Sequence, residues 1–147
     1  MPKPKPRVLL DSNVIFSGLY SSQGAPGTIL EHFIRGKISV VISQQVLEEV
    51  IRTIKEKVPT AIPALKRLLL NVPPEIVADP ETEEIEHWTK KLSIGDAAIL
   101  AAVIATKPNY FVTGDNHFIE NPDLAKVAEL KIVTPAQFLK LLERGET

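Results

Sequence analysis

"VLLDSNVIFSG", residues 8–18, is the stretch on which the reading of this chain turns. With Arg7, the run Val8 to Leu10 reads as a short buried strand, taken here over residues 7–13. Asp11, Ser12 and Asn13 arrive together before Val14, Ile15 and Phe16 resume the apolar pattern. A carboxylate between two segments that favour burial is costly unless a counter-charge, a metal or hydrogen bonds receive it. Asp11 therefore reads either as a loop or helix-cap residue, a place where Asp is common, or as one wall of a charged site.

The pattern recurs downstream. "YFVTGDN", residues 110–116, also places an aspartate, Asp115, just past an apolar strand. Between the two, strands alternate with helices. Residues 25–36 have helical apolar spacing with Gly36 as a stop, and "ISVVIS" is a second strand. Ser43 is placed to cap "QQVLEEVIRTIKEKV". Pro59 and Pro63 flank a break before the helix "PALKRLLLNV", and "EIVAD" is a short strand or extended link. "TEEIEHWTKKL" is modestly amphipathic, whereas "SIGDAAILAAVIATK" is apolar nearly all round and reads as a central buried helix. "DLAKVAEL" suits a short helix, "KIVT" a last strand and "PAQFLKLLERG" a closing helix with Pro135 in its first turn. This alternation predicts an α/β fold with a central, mostly parallel sheet covered on both faces.

In such sheets ligands bind at the carboxyl ends of the strands, which makes Asp11 and Asp115 candidates for one shared site. Asp96 opens the most apolar helix, next to Gly95, and reads either as its N-cap or as a third acid at the same edge. Glu49 shares a helix face with Val46 and Val50 and leans toward the core, while Glu48 points to solvent. Four acids brought together would repel one another without cations. Oxygen ligands suit Mg²⁺ or Mn²⁺. Two such ions can clamp the attacking and leaving oxygens of a phosphodiester, and one can polarise the phosphate and lower the pKa of a water.

Composition sets the remaining bounds. The 147 residues suit one domain, 7–144, after a short basic lead-in, 1–6. There is no cysteine, so disulfides and thiolate metal sites are excluded. The net charge of −1 gives no global nucleic-acid signature. Residues 1–72 nevertheless carry ten Lys/Arg against five Asp/Glu, and Arg35, Lys37, Arg52, Lys55 and Lys57 are available for phosphate contacts. The acidic run from Glu75 to Glu86 reads as solvated surface. No apolar run is long enough to span a membrane and "MPKPKPR" lacks the core of a signal peptide, so a cytoplasmic address is expected. His32 and His87 have no second ligand at zinc-like spacing; His117 reads as a loop residue or a phosphate contact.

The segments "VLLDSNVIFSG", "SQQVLEEVI", "GDAAILAAVI" and "FVTGDNHF", in that order, resemble the four acidic motifs of the PIN domain. The late "KIVTPAQFLKLL" resembles the closing strand and helix of the VapC-like PIN group, assigned as toxin components of toxin–antitoxin systems. The resemblance runs from Arg7 to about Leu142. It implies a three-layer α/β/α sandwich, an acidic pocket for Mg²⁺ or Mn²⁺, and metal-dependent hydrolysis of RNA. Asp11, Glu49, Asp96 and Asp115 match the family's acids and would act as catalytic metal ligands, supported by Ser12, Asn13 and Asn116. Asn116 adjoins the position of a further acid in the family, so a fifth carboxylate is missing. RNA, a small antitoxin protein and a second copy of the chain are the implied partners.

Two other classes compete. One is a non-catalytic PIN-like module that binds RNA or protein, which would bind ions without cutting. The other is phosphoryl transfer through an aspartyl intermediate at Asp11. Against the latter, haloacid dehalogenase-like phosphatases want a second Asp where Asn13 stands, and receiver domains want an acid pair that does not precede Asp11. Walker A and dinucleotide glycine motifs are absent.

Overall fold

The computed structural model describes residues 5–90, 92–119 and 131–145. Among these, five short segments form one sheet: β1 (Arg7–Leu10), β2 (Ser39–Ser43), β3 (Glu75–Val77), β4 (Tyr110–Val112) and β5 (Lys131–Val133). Their order is β3-β2-β1-β4-β5, and every pairing is parallel. Each strand-to-strand crossover therefore carries helix: α1 (Ser12–Tyr20) and α2 (Ala25–Ile34) lead to β2, and α3 (Gln44–Lys57) and α4 (Ile62–Asn71) to β3. α5 (Thr82–Trp88) and α6 (Ile94–Thr106) lead to β4, the short α7 (Asn116–Ile119) follows it, and α8 (Pro135–Glu143) closes the chain.

Register decides which residues share a face. Val8 pairs with Val40 and Tyr110, and Leu10 with Val112, so these point one way. On this face the Tyr110 ring lies 5.4 Å from Phe138 of α8. Leu9, Val41 and Phe111 point the other way, where Phe111 meets Phe118 of α7 edge-on at 5.2 Å. After β3 the chain reverses direction across the sheet, and a right-handed crossover then sets α5 and α6 opposite α1 to α4. The three central strands are buried on both sides, as an α/β/α sandwich requires: Val8, Leu9, Leu10, Phe111 and Val112 are all fully buried. Trp88 joins this core, as does the continuous run Ala97 to Val103 of α6.

The structure corrects several local expectations. β1 ends at Leu10 rather than running to residue 13, and the next residues start a helix that the apolar pattern alone did not announce. The reason is Asp11, which adopts extended dihedrals and accepts a hydrogen bond from the Ser12 N–H, capping α1. Asp96 is not the cap of α6. Ser93 is, its Oγ accepting from the Asp96 N–H at 3.2 Å, and Asp96 lies inside the first turn. The helix expected over "TEEIEHWTKKL" stops at Trp88. "DLAKVAEL" lies outside the described residues. Other signals hold: Ser43 caps α3, Pro135 opens the first turn of α8, and Gly36 follows α2 with φ +76°. A capping box of Thr134 and Gln137, not anticipated from sequence, also closes the start of α8.

Gly27 shows how tightly the first crossover is built. A Cβ there would lie 2.7 Å from Ser21 O and from the Ser22 backbone, which cannot swing aside. Helix propensity alone predicts that Gly27→Ala stabilises by about 1 kcal/mol. The packing predicts the reverse, a loss of about 1–3 kcal/mol. Urea denaturation reads the sign, and a raised midpoint would refute the close approach.

Candidate functional site

The strand order reverses at β1. Chain leaving β1 and chain leaving β4 diverge from adjacent strand ends, and such a switch point leaves an open crevice. Asp11 is the first residue after β1; Thr113, Gly114 and Asp115 are the first after β4. The Asp11 N–H donates to Val112 O at 3.0 Å, extending the β1–β4 ladder to the edge of this crevice. Glu49 arrives from the neighbouring strand, carried along α3 from its cap at Ser43.

Asp11 is only 4% exposed. Its Oδ1 accepts from the Ser12 N–H at 2.8 Å, and its Oδ2 from the Thr113 hydroxyl at 2.7 Å and the Asn13 amide at 3.3 Å. Asn13 spans the two loops, since its Oδ1 also accepts from the Gly114 N–H at 3.0 Å. Burial pushes the Asp11 carboxyl above its ordinary value of 3.8. Hydrogen bonds from Thr113 and Ser12 pull it down, and the charges of Glu49 and Asp115 push it up again.

Two of the other acids predicted from sequence, Glu49 and Asp115, thus act on Asp11. Glu49 is half-buried on the inner side of α3 while Glu48 is exposed, as their helix positions require. Asp115 is half-buried, its N–H donating to Thr113 Oγ1 at 2.9 Å. Asp96 is half-buried in the first turn of α6, where the helix dipole favours an anion, but it is not among the charges acting on Asp11. Ser12 serves Asp11 through its backbone, Asn13 through its side chain, and Asn116 stands exposed at the start of α7. His117 belongs to α7 rather than to a loop.

Sequence reading passed over Thr113. It is fully buried and connects Asp11 to Asp115. The available signal was a hydroxyl residue at the end of an apolar strand, two positions before an acid.

The donors suit a hard divalent cation: carboxylate oxygens, amide oxygens and no sulfur. Asp11 pairs with no Lys or Arg among the described residues, so its charge meets only hydrogen bonds and other acids. Among the described residues, no group of three or more acidic or histidine side chains is placed so that it could hold a metal ion together.

A family model for the PIN domain matches residues 7–117, more than half of the chain and a span that includes the positions of all four acids. The chain belongs to the PIN domain family. Its PIN fold is shared with two solved structures. VapBC2 from Rickettsia felis, bound to a DNA fragment from their promoter, superposes with a TM-score of 0.62 at 18% identity, covering 87% of this chain and 98% of that one. PAE2754 from Pyrobaculum aerophilum gives 0.61 at 17% identity, covering 94% and 90%. No curated protein matches the sequence significantly.

The raised Asp11 carboxyl sets a pH dependence for the metal-free PIN domain. A carboxyl raised on folding binds its proton more tightly in the folded state, so stability falls as pH climbs from 3.8 through the folded value. Relative to Asp11→Asn, the wild type should lose stability across that window and level off above it. Urea melts of both proteins in EDTA, from acid to neutral pH, measure the difference. A gap that stays constant would contradict the burial of a charged Asp11.

Proposed function

We propose that this PIN domain is a metal-dependent endoribonuclease that uses Mg²⁺ or Mn²⁺ to hydrolyse RNA phosphodiester bonds. The observation that carries this reading is Asp11 at the switch point, a buried carboxylate that feels the charges of Glu49 and Asp115 and is paired to no Lys or Arg among the described residues. Such an arrangement gains when a divalent cation neutralises it. Asp11, Glu49 and Asp115 would hold the cation, with Asp96 joining from the first turn of α6. A cation bound there supplies a Lewis acid for the scissile phosphate and an acidified water for attack.

The side chains do the rest. Carboxylates fixed by Ser12, Asn13 and Thr113 orient the scissile group and accept protons from water. Exposed Arg52 and Lys55, on the same helix as Glu49, are available to track the phosphate backbone. With a net charge of −1, RNA affinity depends on such local patches and falls steeply with salt. The fold shared with VapBC2 supports a narrower reading, in which the chain is the toxin of a toxin–antitoxin pair, held by a small antitoxin protein. The resemblance also favours a homodimer, and the N-terminal sequence without a signal-peptide core supports a cytoplasmic address.

Labelled RNAs of mixed sequence and structure, incubated with Mg²⁺, Mn²⁺ or EDTA, test the reading. Wild type should cut with either metal and not with EDTA. Asp11→Asn and Asp96→Asn should each lose more than the roughly 100-fold typical of residues that only support a ligand. Cutting that survives both substitutions would sink the proposal. An inert wild type that also fails to bind Mn²⁺ by calorimetry would favour a non-catalytic module binding RNA or protein.

A further inference from the structure

We infer that Thr113 is a positioning residue that presents Asp11 to a cation through Oδ1 alone. The inference rests on the metal-site reading above and adds which oxygen is offered and what selects it.

Thr113 is fixed from three directions. Its N–H donates to Val133 O at 3.0 Å, anchoring it to β5. Its Oγ1 accepts from the Asp115 N–H at 2.9 Å. That donor cannot receive a proton, so the single hydroxyl proton of Thr113 is left to point at Asp11 Oδ2, 2.7 Å away. Full burial leaves the hydroxyl no water to turn toward.

The two carboxylate oxygens of Asp11 are consequently not equivalent. Oδ2 accepts from both Thr113 and Asn13, which fills its two lone-pair directions. Oδ1 accepts only from the Ser12 N–H, and keeps one direction open. Rotation of the carboxylate to exchange the oxygens would break the short bond to Thr113, and at 4% exposure no solvent replaces it. Asp11 is a one-oxygen ligand, and the hydroxyl of Thr113 makes it so. The same hydroxyl holds the Asp115 N–H, which couples the placement of the second acid to the first.

A merely structural Thr113 would stabilise the β4–α7 turn and nothing else. Thr113→Val keeps the volume and removes the hydroxyl; Thr113→Ser keeps the hydroxyl. Mn²⁺ alone is the probe, titrated by calorimetry and by the loss of the free-ion paramagnetic resonance signal, with each variant's Tm measured in parallel. The valine variant should bind Mn²⁺ about 10–100-fold more weakly. The serine variant should bind as wild type does. If the valine variant does not fold, Thr113→Cys offers a similar shape with a weak S–H donor and should show the same weakening. Wild-type affinity in the valine or cysteine variant, with binding lost in Asp11→Asn, would overturn the role of Thr113 and leave the metal site standing. Equal weakening in the serine variant would overturn it as well. If Asp11→Asn binds Mn²⁺ as tightly as wild type, the metal-site reading fails, and the inference with it.

Discussion

The parallel pairing of β1 with β4 is the constraint on which the rest depends. Leu10 opposite Val112, extended by the bond from the Asp11 N–H to Val112 O, brings two strand ends side by side. These strands are buried on both faces, so their interiors accept only apolar side chains. Polar chemistry is confined to the residues just beyond the strand ends, and there Asp11 and the Thr113–Asp115 turn meet. Over a hundred residues separate them along the chain, and the ladder bond to Val112 O, with the bonds Thr113–Asp11 and Gly114–Asn13, joins them in space.

That placement has an electrostatic consequence. Removing a carboxylate from water costs several kcal/mol even after local relaxation. Each hydrogen bond to an ionised group returns about 1.5–3 kcal/mol. Asp11 has donors from Ser12, Asn13 and Thr113, and it sits at the positive end of α1. These offset only part of the cost of burial, which is the main reason the carboxyl stays raised, and the charges of Glu49 and Asp115 add smaller upward pushes. The remaining imbalance is what a divalent cation would relieve. The donors belong to the first turn of α1 and the turn after β4, and do not depend on the cation. The anion is thereby oriented before any ligand arrives, which is the preorganisation that ligand binding exploits.

Much of this was legible from local pattern. The alternation of apolar runs with amphipathic ones announced the parallel α/β class, and the cap at Ser43 and Pro135 marked helix starts. The heptad-like spacing of α3 separated Glu49 from Glu48. Where one residue had two duties, pattern reading failed. Asp11 ends a strand and caps a helix, so the apolar residues beyond it looked like a resumed strand rather than α1. At α6 the sequence reading offered Asp96 as the cap, but Ser93, three residues earlier, takes it because its Oγ reaches the Asp96 N–H. That leaves the Asp96 carboxylate in the first turn, outside the cap itself.

By itself, the sequence determined the fold class and the family and marked out the candidate acids, because periodicity, capping and motif order are written in neighbouring residues. Strand order and the pairing across the switch point were decided only in three dimensions, since no local signal says which strand lies beside β1. The same is true of the individual oxygen atoms. Thr113 reads in sequence as one more strand-end hydroxyl, and it acquires its role only when β4 is laid against β1, so that Asp11 Oδ2 and the Asp115 N–H fall on either side of one buried hydroxyl.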